Sequence, residues 1–331
     1  MLITSLIIII ISFIIALVID KSLDKKTVQK IEPRKQFYYD EEGNLCEHEQ
    51  NEVDQTINAE IEYKQNCKTG IVAFAFYYAS NLILSVVFQV IFHNILINEL
   101  GITNDQLLEG NPNFSSEAYA QYEVLLTAYL NFVIMAVVFI GFIFIFKSIL
   151  KDDFKTFKGD PKKYLGLFGL GFVGMYISNF LVSFIITLFF GDDVVSSNQD
   201  LLNGIFNHND TTKIILIIFT VIFAPFIEEL LFRKSIFNFF KKKSFVPIIV
   251  SAVIFAFIHV SGPMFSTFLL TLNNEASLKD VFIEFAYIGI YLPPAFVLAY
   301  VYSESKYNIF PCILIHTAQN LLSVIGMFIY Q

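Results

Sequence analysis

Apolar residues in this chain gather in long uninterrupted runs, of which Leu2–Ile19 is the first. Crossing a bilayer core takes about 20 mainly apolar residues. Runs of that order cover approximately 2–19, 71–98, 123–146, 164–190, 212–240, 245–270, 281–302 and 309–330. The pattern predicts an all-α polytopic membrane protein with eight transmembrane helices, and it argues against one large soluble core. The first run has no basic stretch before it and no small-residue cleavage site after it. It therefore reads as a retained span with its N-terminus outside, and not as a signal peptide.

The polar positions between the runs set the expected orientation. Loop 20–70 holds eight Lys and Arg residues and 147–163 holds six, while Lys241–Lys243 follow the fifth run. Loops 99–122 and 191–211 hold none. Basic loops stay on the cytoplasmic side, so both termini are expected outside and loop 20–70 inside, most simply at the plasma membrane. Lys279 is a single exception. Loop 20–70 is basic first and acidic later, with few apolar residues, and predicts short helices or disorder. The expected organisation is an N-terminal set of spans over 1–200 and a separate helical core over 212–328.

Composition sharpens this picture. Of 331 residues, 55% are hydrophobic and 16% charged; soluble domains carry about 25% charge. Mean hydropathy is +0.61. No basic domain is present, so the bilayer is an expected partner and nucleic acid is not. Trp is absent, which leaves Tyr and Phe for the interfacial belt. Cys46, His48 and Cys67 share the long loop, but their spacing fits no standard zinc finger and a fourth ligand is lacking. Free thiols are the expected state, and Cys312 reads as packing within a span.

Candidate chemistry lies in polar residues inside the spans. The fifth run contains Ala224-Pro225-Phe226-Ile227-Glu228-Glu229 and then Arg233. An ionised side chain at mid-membrane costs about 2.5–3.5 kcal/mol on the insertion scale. Glu229 and Arg233 are four apart with the acid first, so they can pair and offset part of that cost. Glu228 points about 100° away and has no partner on its own helix. His259 follows Phe255 by four in the sixth run, and His316 and Asn320 share a face of the eighth. At about 1.5 Å per residue, Glu228, His259 and Asn320 lie about 17–21 Å from the cytoplasmic ends of their helices, and His316 about 11 Å. A carboxylate, two imidazoles and an amide near one level supply a base, an acid and oxyanion donors. An ion-pair lock between helices and simple interhelical hydrogen bonding are the non-catalytic readings of the same residues.

Three signatures stand in order: Glu228-Glu229 with Arg233, Phe255 with His259, and His316 with Asn320. Together with Ala224-Pro225 and the stretch Asn308–His316, they resemble the CPBP group of CAAX proteases and bacteriocin-processing proteins, over about 212–328. The resemblance implies an intramembrane endopeptidase acting on a membrane-embedded or lipidated peptide or protein. By position, Glu228 and His259 would activate water, and His316 and Asn320 would stabilise the oxyanion. Glu229 and Arg233 would fix the helix and its electrostatics. No cofactor is expected, since His-Glu-x-x-His is absent and an amide ligates zinc poorly. Zinc held by Glu228, His259 and His316 is the alternative, in keeping with a family often called metalloproteases. Lys234 departs from the Gly many members carry. Pro293-Pro294 should break the seventh helix. A non-proteolytic scaffold or immunity protein is the runner-up, and a proton-coupled transporter ranks last because no half repeats the other.

Overall fold

A computed structural model describes residues 38–39, 45–46, 48–108, 111–190, 197–240, 245–273 and 276–329, with side chains from residue 65 onward except 189, 190, 197 and 198. The expected span 2–19 lies outside these residues. Among them, seven helices are long and apolar enough to cross a membrane: Gln65–Leu100, Ser116–Ile145, Pro161–Leu188, Asp210–Asn238, Phe245–Leu272, Leu278–Glu304 and Phe310–Ile329. They match the second to eighth predicted spans, and the protein is polytopic and all-α. A short antiparallel ribbon, β1 (Tyr38–Tyr39) with β2 (Leu45–Cys46), precedes them.

The helices are α1 (His48–Leu100), α2 (Asn104–Leu107), α3 (Ser116–Ile145), α4 (Lys147–Gly159), α5 (Pro161–Phe190) and α6 (Ser197–His208). Then come α7 (Asp210–Asn238), α8 (Phe245–Leu272), α9 (Leu278–Ala286), α10 (Ile288–Glu304) and α11 (Phe310–Ile329). Two loop expectations are corrected. Nearly half of loop 20–70 is helix, because α1 starts at His48 and runs on into the membrane. The basic loop 147–163 contains α4. Capping explains where the spans begin. Ser115 accepts from the Ala118 N–H at the start of α3. Asn209 and Thr212 cap each other reciprocally at the start of α7. Both arrangements satisfy N–H groups that a helix end leaves without partners.

α8 packs on α10, α1 on α3, and α5 on both α10 and α11. The most apolar windows of α7 and α8 are 44% and 56% buried, against 11% for α1 and α5, so α7 and α8 are central and α1 and α5 face lipid. Lipid-facing side chains such as Leu170 and Phe180 are apolar, as a bilayer without water requires. The core gathers Ile227, Leu230, Phe232, Ala252, Leu298 and Ile315. α5 approaches α11 closely at Gly171, where a Cβ would stand 2.6 Å from Ile315 Cδ1 and 2.9 Å from Val301 Cγ2.

The proline pair acts differently from the expectation. α10 runs helically through Pro293 and Pro294, and the seventh span is interrupted earlier, at Tyr287. A proline ring clashes with the carbonyl four residues back. For this pair those carbonyls belong to residues 289 and 290, in the first turn of α10. Restarting the helix at Ile288 lets them splay at a helix end.

Candidate active site

The Glu-Glu motif sits on an irregular part of α7. The helix widens to π turns at Phe219–Phe223 and again at Glu229–Ser235. The first widening follows from Pro225. The Ala224 N–H bonds the Phe219 carbonyl, five residues back. Pro225 has no N–H, so neither residue serves the carbonyl of Thr220. Asn320 of α11 fills that vacancy, donating from Nδ2 to Thr220 O at 2.7 Å. At the second widening, Ser235 Oγ donates to Leu230 O at 2.9 Å and Ser251 Oγ of α8 to Phe232 O at 2.8 Å. Wide turns of this kind are frequent at functional sites.

The two adjacent glutamates have opposite environments. Glu229 is fully buried and committed. Its Oε2 lies 3.2 Å from Arg233 Nε, the i,i+4 pair expected, and its Oε1 accepts from His316 Nδ1 at 2.8 Å. Arg233 is also fully buried; it donates from Nη2 to Ala295 O at 3.2 Å and stacks over the Phe255 ring at 4.5 Å. Glu228 keeps 17% of its side chain exposed, and its Oε2 lies 3.8 Å from His316 Nε2. That gap is too long for a direct hydrogen bond.

Both histidines have their ring nitrogens assigned by their partners. A carboxylate accepts only, so His316 Nδ1 carries a proton. His259 Nδ1 lies 2.9 Å from the Phe255 carbonyl, another pure acceptor, so it too is protonated there. Each imidazole therefore turns Nε2 to new partners. The Tyr291 ring stacks on His259 at 4.7 Å, and the Phe255 ring lies tilted at 4.5 Å from it. Two aromatic contacts thus help to hold the His259 ring plane.

Glu228, His259, His316 and Asn320 all line one cavity of about 520 Å³. The level predicted from helical rise thus corresponds to a common chamber. Glu229 and Arg233 stand behind the wall, as a buried support. The cavity's other lining is mixed, with Met175, Leu202 and Leu298 beside Asn179, Ser183 and Gln319. Asn179 Oδ1, Tyr287 Oη and Gln319 Oε1 border it with no hydrogen-bond partner among the described residues.

Among the described residues no three His, Cys, Asp or Glu side chains form a group that could hold a metal ion. Glu228, His259 and His316 form no such group in this arrangement, while the Nδ1 bond of His316 to Glu229 leaves its Nε2 available, as in carboxylate–histidine pairs that back a metal ligand. In the long loop, Cys46 and His48 have side chains outside the described residues. Cys67 Sγ donates to Asn238 O at 3.0 Å, on the end of α7, and Cys312 is buried against α10.

Lys234, the departure from the family pattern, has its own clamp. Its Nζ donates to Asp153 Oδ2 at 2.8 Å and to Tyr307 O at 3.0 Å. The same Asp153 carboxylate accepts from the Ile309 N–H at 3.1 Å, and the Asp153 carbonyl accepts from Asn308 Nδ2 at 2.6 Å. Lys306 and Tyr307 are left-handed, with φ of 57° and 65°. The clamp holds that turn, and so fixes where the His316 helix starts. Sequence reasoning missed Asp153, Tyr291 and the Thr220 carbonyl. Only Pro225 carried a readable signal, since a proline in a helix frees a carbonyl upstream.

Residues 210–322 match a family model described as Rce1-like, type II CAAX prenyl endopeptidase Rce1-like. An uncharacterized protein of Mycoplasma capricolum subsp. capricolum is 31% identical over 178 residues, which cover 52% of this chain and 46% of that protein. The chain thus aligns with about half the length of that curated relative. No solved structure matches. All six site residues lie within 210–322, the stretch that is similar to the Rce1-like, type II CAAX prenyl endopeptidase model.

Proposed function

We propose that the chain is an intramembrane endopeptidase that hydrolyses a peptide bond of a membrane-associated, CAAX-like or lipidated substrate, using a water activated by Glu228. One observation carries the reading: among the described residues, Glu228 is the only carboxylate lining the cavity, while its neighbour Glu229 is sealed behind it by Arg233 and His316. Two adjacent acids with such different surroundings suit two roles, base and support.

Glu228 takes the proton as water adds to the scissile carbonyl, and later passes it to the leaving amine. His259, with Nδ1–H held by Phe255, offers its Nε2 lone pair to orient the same water. His316 can donate to the oxyanion only through a protonated Nε2, because Nδ1–H is committed to Glu229. Asn320 keeps one N–H beyond the bond it gives Thr220 and supplies a second donor.

The membrane peptidomes of wild-type and Glu228→Gln cells identify the substrate, and purified protein is then assayed on it. Glu228→Gln should abolish cleavage while keeping the fold; a purified variant cleaving at the wild-type rate would refute the assignment. The reading is metal-free. Activity should survive strong chelator, with no stoichiometric zinc by elemental analysis. Activity lost to chelator and restored by Zn²⁺ would recast Glu228, His259 and His316 as ligands.

A further inference from the structure

α4 has two faces with different business. At 100° per residue, Lys147, Lys151, Lys155 and Lys158 fall within one sector of about 80°. All four are exposed. Asp153, Leu150 and Phe157 fall on the opposite, packed side. Phe154 sits at the border between them, 45% exposed, with Lys158 Nζ 4.6 Å above its ring. Of the three acids between 147 and 163, Asp153 is already neutralised by Lys234, so it does not offset the stripe. Lys162 continues the charge on the first turn of α5 and is exposed.

The helix also lies where such a face meets a membrane. It joins the end of one span, Ser116–Ile145, to the start of the next, Pro161–Leu188. A short helix with a lysine sector, bordered by an exposed aromatic and lying at the bilayer boundary, is built to rest in the headgroup layer. Lysines near an anionic leaflet are attracted to it and neutral headgroups do not reproduce the effect. We propose that the lysine face of α4 docks on the anionic phospholipid headgroups of the surrounding leaflet. The docked helix is not a loose loop. Through Asp153 its other face holds Lys234 of α7 and the Ile309 N–H ahead of α11. Lipid contact is therefore mechanically tied to two of the three helices that carry the candidate site, α7 and α11.

The absence of Trp makes a direct test available. Phe154→Trp gives the full chain a single indole at the edge of the face. The protein is reconstituted in vesicles of phosphatidylcholine alone, or of phosphatidylcholine with phosphatidylserine. Emission should shift to the blue, with stronger quenching by brominated acyl chains, in the anionic vesicles. Both effects should fade in high salt and vanish when Lys147, Lys151, Lys155 and Lys158 are all changed to Gln. The lipid and salt arms leave the protein unaltered, so a folding defect in the Gln variant cannot imitate them. Equal emission in both vesicles overturns the proposal. So does full reversal by millimolar inorganic phosphate, which would mark a phosphate site and not a leaflet.

Discussion

At the residue scale, the contrast between Glu228 and Glu229 carries most of the chemistry. Glu229→Gln leaves Arg233 charged and buried without its counter-ion, and it weakens the grip on His316. Breaking a buried pair from one side costs about 3–5 kcal/mol. The expected outcome is a large drop in thermal stability in detergent together with lost cleavage. Glu228→Gln should lose cleavage with its melting temperature nearly unchanged, because that carboxylate faces the cavity. Equal destabilisation by both variants would show that the two acids share one structural role. The i,i+4 pairing was readable from spacing alone. The His316 contact was not, since the two residues lie 87 apart in sequence.

At the element scale, α7 is an example of a helix made irregular for a partner. Pro225→Ala returns an N–H to the helix beside the Thr220 carbonyl and competes with Asn320 for it. Proline inside a helix costs up to about 3 kcal/mol relative to alanine. The variant should therefore melt higher but cleave at least about tenfold more slowly, a trade of activity for stability. A variant that is more stable and fully active would remove Asn320 from the mechanism. The clamp at the other end of α7 makes a second prediction. Lys234→Met strands the Asp153 carboxylate and loosens the turn before α11. It should destabilise by about 3–5 kcal/mol, measured by chemical unfolding in micelles, and the change of Asp153 to Asn in the same chain should recover part of that loss.

At the scale of the whole molecule, one prediction concerns which side of the membrane the clamp end faces. Lys and Arg bias predicts a cytoplasmic connection 147–163. Lys155 is exposed on α4, so a Lys155→Cys chain with its native cysteines replaced offers a single accessible thiol there. A membrane-impermeant thiol reagent should spare it in intact cells and modify it after lysis. Reaction in intact cells would invert the topology and move the lysine face of α4 to the outer leaflet.

Bilayer thickness is a local constraint, so seven of the eight runs could be located by length and apolarity before any contact was known. The six polar residues stood out for the same reason: polar and ionisable groups are costly in lipid wherever they occur. Helical rise, also local, put Glu228, His259, His316 and Asn320 near one level. Beyond that, neighbours decide. Nothing within 218–225 says that the spare Thr220 carbonyl meets Asn320, or that Lys234 meets Asp153, 81 residues away. The break at Tyr287, not at Pro293-Pro294, depends on where α10 can start against α8 and α5. Covalent sequence dictates each helix and its burden of polar groups, because those costs are paid residue by residue. Only tertiary packing decides which group answers which, because an unpaired carbonyl or charge is satisfied by whatever the adjacent helix brings within about 3 Å.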